Sequence, residues 1–116
     1  MRDIGHFIGG KEVKGTSGRT GDVFNPNTGE VQAKVAFASK SEVEKAIANA
    51  AAAQPAWAAT NPQRRARVMF KLLELVQGEY DNLARLLSSE HGKTFVDSKG
   101  DIQRGLEVVE LSLIHI

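Results

Sequence analysis

Glu90-His91-Gly92-Lys93-Thr94-Phe95-Val96-Asp97-Ser98-Lys99-Gly100-Asp101-Ile102-Gln103-Arg104-Gly105-Leu106-Glu107-Val108-Val109-Glu110 is the stretch around which the chain is organised. Gly92 is placed to stop one helix as a left-handed cap, with His91 in the last turn, where a cation is favoured. Thr94 caps the next helix, in which Phe95, Ile102, Leu106 and Val109 share one face. Arg104 lies about 200° around that helix from both Ile102 and Leu106, so it projects off the core-facing stripe. An ion pair with Asp101 or Glu107 at i,i+3 spacing is one reading of it, worth ~0.3–0.5 kcal/mol if exposed. The other is a guanidinium that receives a ligand carboxylate through a bidentate fork. The residues alone favour the ion pair.

Gly92-Lys93-Thr94 imitates the end of a phosphate-binding loop. That motif needs a glycine five residues before Gly92, where Leu87 stands, and a strand before the loop, where a helix is expected. A helix stop followed by a helix cap is the better reading. Upstream, Glu79 to Glu90 carries Leu83, Leu86 and Leu87 inward, and Gly78 breaks the pattern before it. Asn61-Pro62 is a helix start, with asparagine as N-cap and proline at the first helical position. Ala66, Met69, Phe70, Leu73 and Val76 form its apolar stripe, widened by Leu72 and Leu75. Arg64, Arg65 and Arg67 crowd its first turn, against the helix dipole. Carboxylates on a neighbouring segment or subunit would explain them more simply than an anion site.

Ser39 with Glu42, or Ser41 with Glu44, forms a capping box that opens the first helix. Val43, Ala46, Ile47, Ala50, Gln54 and Trp57 share one face of it, and alanine fills most of the rest. Pro55 is expected to end the regular helix near Gln54 or to kink it. Trp57 is expected to pack beneath that end as an apolar anchor.

The first forty residues read as strand and turn. Phe7-Ile8-Gly9-Gly10-Lys11-Glu12-Val13 has the form of a tight β-hairpin, because two glycines supply the positive φ of a primed turn. Gly15 to Gly21 is a loop by composition. No helix opens after it, so a surface loop is preferred to a phosphate site. Asn25-Pro26-Asn27-Thr28-Gly29-Glu30 is a second turn. Val31, Ala33, Val35 and Phe37 then alternate with Gln32, Lys34 and Ala36, which makes a half-buried strand. The fold class expected is mixed α/β: an N-terminal β-hairpin region followed by about four helices.

A chain of 116 residues is enough for one domain at most. The formal charge of +1 asks for neither nucleic acid nor an anionic membrane. There is no cysteine, hence no disulfide framework and no thiolate chemistry within these residues. The N-terminus lacks a signal-peptide core, and no apolar run approaches the ~20 residues of a membrane span. A cytoplasmic location is expected. His6, His91 and His115 lie far apart with no carboxylate spacing, so no metal site is expected.

The order of these pieces resembles the N-terminal portion of an aldehyde dehydrogenase superfamily member, an α/β fold. The general features are the hairpin Phe7 to Val13, the turn Asn25 to Glu30, the Ala-rich helix ending in Trp57, and Glu90-His91-Gly92-Lys93-Thr94. A finer match lies in Arg64-Arg65-Ala66-Arg67 together with Gly100 to Glu110. That combination resembles the CoA-acylating branch, methylmalonate-semialdehyde dehydrogenase. The resemblance implies oxidation of malonate and methylmalonate semialdehydes with NAD and coenzyme A, giving acetyl-CoA and propionyl-CoA with loss of carbon dioxide. In such enzymes a cysteine thiolate attacks the aldehyde, hydride passes to NAD, and the thioester is transferred to coenzyme A. It also implies a role in valine and myo-inositol breakdown and a homo-oligomer, dimer or tetramer. Arg104 is the residue implied to receive the substrate carboxylate. No catalytic residue is assigned.

Residues 1–110 are thus expected to be the N-terminal part of the NAD-binding domain. Residues 111–116, Leu-Ser-Leu-Ile-His-Ile, form a tail that departs from the family pattern. The family's chains are several times longer than 116 residues. The expectation is therefore an inactive piece, unable to bind the cofactor alone and prone to associate through uncovered apolar faces. Two alternatives differ in kind. One is another aldehyde dehydrogenase, acting on succinate semialdehyde or betaine aldehyde. The other is a small helical interaction module that docks through its arginine cluster.

Overall fold

The structure, a computed structural model, describes residues 2–115, and of His115 the backbone alone. Residue 116, the end of the tail, lies outside the described residues. Two compact units divide the chain, residues 1–59 and residues 60–116.

The first unit holds five strands and one helix. β1 (Arg2–Ile4), β5 (Val31–Ala36) and β4 (Thr20–Phe24) form a three-stranded sheet in the order β1-β5-β4. β4 and β5 run antiparallel, joined by the expected turn. There the Asn25 N–H donates to the Glu30 carbonyl (2.8 Å), and the Asn25 side chain accepts from the Asn27 N–H (2.9 Å). Asp22 faces Lys34 across the ladder, and their side chains pair at 3.5 Å. β1 pairs parallel with β5, with Arg2 opposite Ala33. A central position buries Ala33 at 5% exposure. β2 (His6–Ile8) and β3 (Lys11–Val13) make the expected hairpin as a separate sheet, with Gly9 and Gly10 at φ 63° and 78°.

Two expectations for this unit need correction. Thr20 and Gly21 belong to β4 and not to the preceding loop. Glycine is required there by close approach: a Cβ on Gly21 would lie 2.5 Å from the Phe37 ring. The helix does not end near Gln54. α1 runs from Lys40 to Ala59 with Pro55 inside it. The alanines on both sides of Pro55 are the best helix formers, and they carry the helix through the missing donor. Trp57 is 44% exposed and finds no packing partner beneath the helix end among the described residues, against expectation.

Ser39 is the residue that caps α1. Its hydroxyl accepts from the Glu42 N–H (3.3 Å), and Glu42 returns to the Ser39 N–H (2.7 Å). The second Glu42 oxygen accepts from the Thr16 N–H (2.7 Å) and hydroxyl (2.9 Å). One buried carboxylate therefore ties the glycine-rich loop to the start of α1.

The second unit is helical, and four helices in all follow the β region, as expected. α2 (Pro62–Gly78) begins at Asn61, whose side chain accepts from the Gln63 N–H at 2.9 Å. α3 (Tyr80–His91) ends at Gly92, which is left-handed at φ 83°, ψ 5°. Its N–H donates to the Ser88 carbonyl at 2.9 Å. Thr94 caps α4 (Phe95–His115), accepting from the Asp97 N–H at 3.2 Å. The helix continues through Leu111 into the tail.

α4 packs on both α2 and α3. Ala84 and Ser98 are fully buried, Leu106 is 3% exposed, and the Ser88 and Ser98 hydroxyls bond each other at 2.8 Å. The Tyr80 hydroxyl donates to the Lys99 carbonyl at 2.7 Å. The stripes are narrower than their sequence suggests. Leu73, Val76, Leu83 and Leu87 are half-buried, whereas Phe70, Leu72, Leu75 and Leu86 face outward.

Two outcomes follow for the protein that contains this chain. Gly92→Ala should cost about 1 kcal/mol in chemical denaturation, because an L residue resists the left-handed region. Gly78→Ala should stabilise by roughly 0.5 kcal/mol, since its Cβ meets open space without positive φ. Glu42 gives a pH signature. The N–H and hydroxyl of Ser39, then those of Thr16, hold its carboxyl at about 2, below the ordinary 4.5. Its contribution is full above 4.5 and fades as pH falls toward about 2. Protection of the Thr16 amide from hydrogen exchange should drop through that window, and Glu42→Gln should abolish the drop. Identical profiles would contradict this role.

Candidate functional site

Arg104 stands exposed on α4. Neither ion pair anticipated for it forms: among the described residues it has no carboxylate within 4.0 Å. Both helix carboxylates three residues away are engaged elsewhere. Asp101 pairs with the Lys93 ammonium. Glu107 accepts from the Gln103 amide at 3.4 Å. The Lys93 hydrogen bond holds the Asp101 carboxyl below its ordinary value, helped by the charges of Lys93, His91 and Arg104. Arg104 thus acts on Asp101 through space without contact. An exposed, forked guanidinium of this kind suits a planar carboxylate.

Lys93 reaches Asp101 because Gly92 turns the chain between α3 and α4. A separation of eight residues, from the junction before Thr94 to the second turn of α4, lies outside the i,i+3 and i,i+4 rules, so sequence reading missed this pair. Nearby, Lys99 pairs with Asp81 at 2.9 Å. Its ammonium lies 5.3 Å from the Tyr80 ring centroid and 5.4 Å from that of Phe95, and Arg85 lies 5.5 Å from Phe95. That cluster joins α3 to α4 and fixes the helix that carries Arg104.

The three arginines at the start of α2 have no carboxylate within 4.0 Å among the described residues, so the simpler explanation finds no partner within the described chain. Asn61, Gln63, Arg64 and Arg67 line a shallow cavity of about 350 Å³. The backbone donors there are already used: the Gln63 N–H reaches the Asn61 side chain, and the Arg64 and Arg65 N–H groups reach the Asn61 carbonyl. Neither glycine-rich turn cradles a phosphate. Glu42 occupies the donors of Thr16 in the first, and Lys93 is committed to Asp101 in the second. His6 and His91 join no group of three metal-ligating residues among those described.

The aldehyde dehydrogenase family matches residues 13–115 of this sequence. The chain belongs to the aldehyde dehydrogenase family. Within it, this aldehyde dehydrogenase chain is closely related to the methylmalonate- and malonate-semialdehyde dehydrogenases. It is 43% identical over 110 residues to the malonate-semialdehyde dehydrogenase of Pseudomonas aeruginosa, covering 95% of this chain and 22% of that protein. A crystal structure from Sinorhizobium meliloti 1021, assigned as a methylmalonate-semialdehyde dehydrogenase complexed with NAD, is similar with a TM-score of 0.95 at 57% identity. That similarity covers 97% of this chain and 23% of the other. The methylmalonate-semialdehyde dehydrogenase of Oceanimonas doudoroffii gives 0.93 at 44% identity, with the same coverage. This aldehyde dehydrogenase chain thus spans less than a quarter of the length of these relatives. The match extends into the tail, to residue 115.

Proposed function

We propose that these residues are the N-terminal part of the NAD-binding domain of a CoA-acylating semialdehyde dehydrogenase. The reaction is oxidation of methylmalonate or malonate semialdehyde by NAD in the presence of coenzyme A. It yields propionyl-CoA or acetyl-CoA, carbon dioxide and NADH, in the breakdown of valine and myo-inositol. The protein works in the cytoplasm as a homo-oligomer. The observation that carries this reading is similarity over nearly the whole chain to a methylmalonate-semialdehyde dehydrogenase at 57% identity. Among the described residues, no helix is long and apolar enough to cross a membrane.

The chemistry is shared unevenly along such a protein. These 116 residues contain no cysteine, so the attacking thiolate belongs to another part of it. The two turns that resemble phosphate loops have their donors engaged by the protein's own carboxylates and do not fit a dinucleotide. What this chain contributes to the reaction is Arg104, which receives the substrate carboxylate and orients the semialdehyde. Lysine at this position keeps the charge but loses the planar fork.

Arg104→Lys in the full-length protein should raise KM for methylmalonate semialdehyde on the order of tenfold or more, the scale of a lost charge-assisted hydrogen bond. KM for propanal, which has no carboxylate, should change little. Equal effects on both aldehydes would sink the assignment. The isolated 116-residue chain, given semialdehyde, NAD and coenzyme A, should produce no NADH by absorbance. Turnover by that chain would contradict the division of labour.

A further inference from the structure

Arg104 is free for a ligand only because two nearer carboxylates are held away from it. On a helix, residues three apart have Cβ atoms about 5–6 Å from each other, within reach of an Asp–Arg pair. Asp101 precedes Arg104 by three residues, yet its carboxylate turns toward Lys93. Lys93 does not belong to α4. It sits in the junction after Gly92, and its side chain is 26% exposed, less than the 46% of Asp101. A partly buried cation beyond the helix end therefore competes with Arg104 for the same carboxylate, and it wins.

We propose that Lys93 is a positioning residue for substrate: by holding Asp101, it keeps the Arg104 guanidinium open to the carboxylate of the semialdehyde. This rests on the assignment of Arg104 given above. The logic is competition within the protein. Asp101 and the substrate present the same chemical group to Arg104. If Asp101 were released, an exposed i,i+3 pair populated about two to one over the open form would weaken substrate binding about threefold. Glu107 stands on the other side of Arg104, engaged by the neutral amide of Gln103.

The test uses the full-length protein and reads one quantity, the ratio of KM for methylmalonate semialdehyde to KM for propanal. Lys93→Met should raise that ratio about threefold, by the same competition. Lys93→Arg, which keeps a cation, should leave it near the wild-type value. The decisive variant is Lys93→Met combined with Asp101→Asn: with no carboxylate to release, the ratio should return to wild type. Lys71→Met, which breaks an exposed pair with Glu74 on α2, is the control and should not move the ratio. If Lys93→Met does not fold by circular dichroism, Lys93→Gln serves in both comparisons. An unchanged ratio in the single variant, or a double variant no better than the single, overturns the role of Lys93. The Arg104→Lys measurement separates the two readings. If it leaves the ratio unchanged, the assignment of Arg104 fails, and the role of Lys93 with it. If it raises the ratio while Lys93→Met does not, the role of Lys93 alone fails.

Discussion

The left-handed backbone at Gly92 governs what the second unit can do. It ends α3, turns the chain, and delivers Lys93 to the side of α4. From that turn follow the Lys93–Asp101 pair and the freedom of Arg104. Thr94 then starts α4 at once, so the junction has little slack. A side chain at position 92 would put strain into the one segment that sets the register between α3 and the arginine-bearing helix.

In the first unit a carboxylate has the corresponding place. Glu42 completes the capping box of α1 and also accepts two donors from Thr16, twenty-six residues earlier. A charged acceptor makes these bonds stronger than neutral ones. The loop it secures has the glycine content of a phosphate-binding turn, yet its donors serve the protein's own carboxylate. Few apolar side chains are fully buried within these 116 residues, which span less than a quarter of the related proteins' length. Ala33, Ala84 and Leu106 are the buried apolar residues among those described. Val43, Ile47 and Trp57 on α1, and Val68, Phe70, Leu72 and Leu75 on α2, remain exposed.

Local features of the fold were legible where the physics is local. The hairpin at Gly9-Gly10, the turn at Asn25 to Glu30, the caps at Asn61 and Thr94, the stop at Gly92, and a cap at Ser39 or Ser41 that the structure resolved to Ser39, each depend on one residue's φ or one side chain's nearby acceptor. Of the two outcomes expected at Pro55, the helix end near Gln54 does not occur, because the alanine context outweighs a penalty that is also local. Trp57, Phe70 and Leu75 misled for the opposite reason. Apolar character tells which residues can be buried but not which surface arrives to bury them. The parallel pairing of β1 with β5 was invisible, since it joins segments about thirty residues apart with no turn to announce it.

The same division holds at the site. By itself the sequence determined that Arg104 projects off the apolar stripe of α4, because helical period alone places it there. It also placed the chain in its family through the order of its motifs. Only the tertiary structure decided whether Arg104 has a partner of its own. Sequence spacing offered Asp101 and Glu107 equally, and charge attraction favoured both. The outcome turned on a third group, the Lys93 ammonium, which reaches Asp101 from the junction that precedes α4. Which of two cations a carboxylate chooses depends on distance and desolvation in three dimensions, and neither is written in the spacing of residues along one helix.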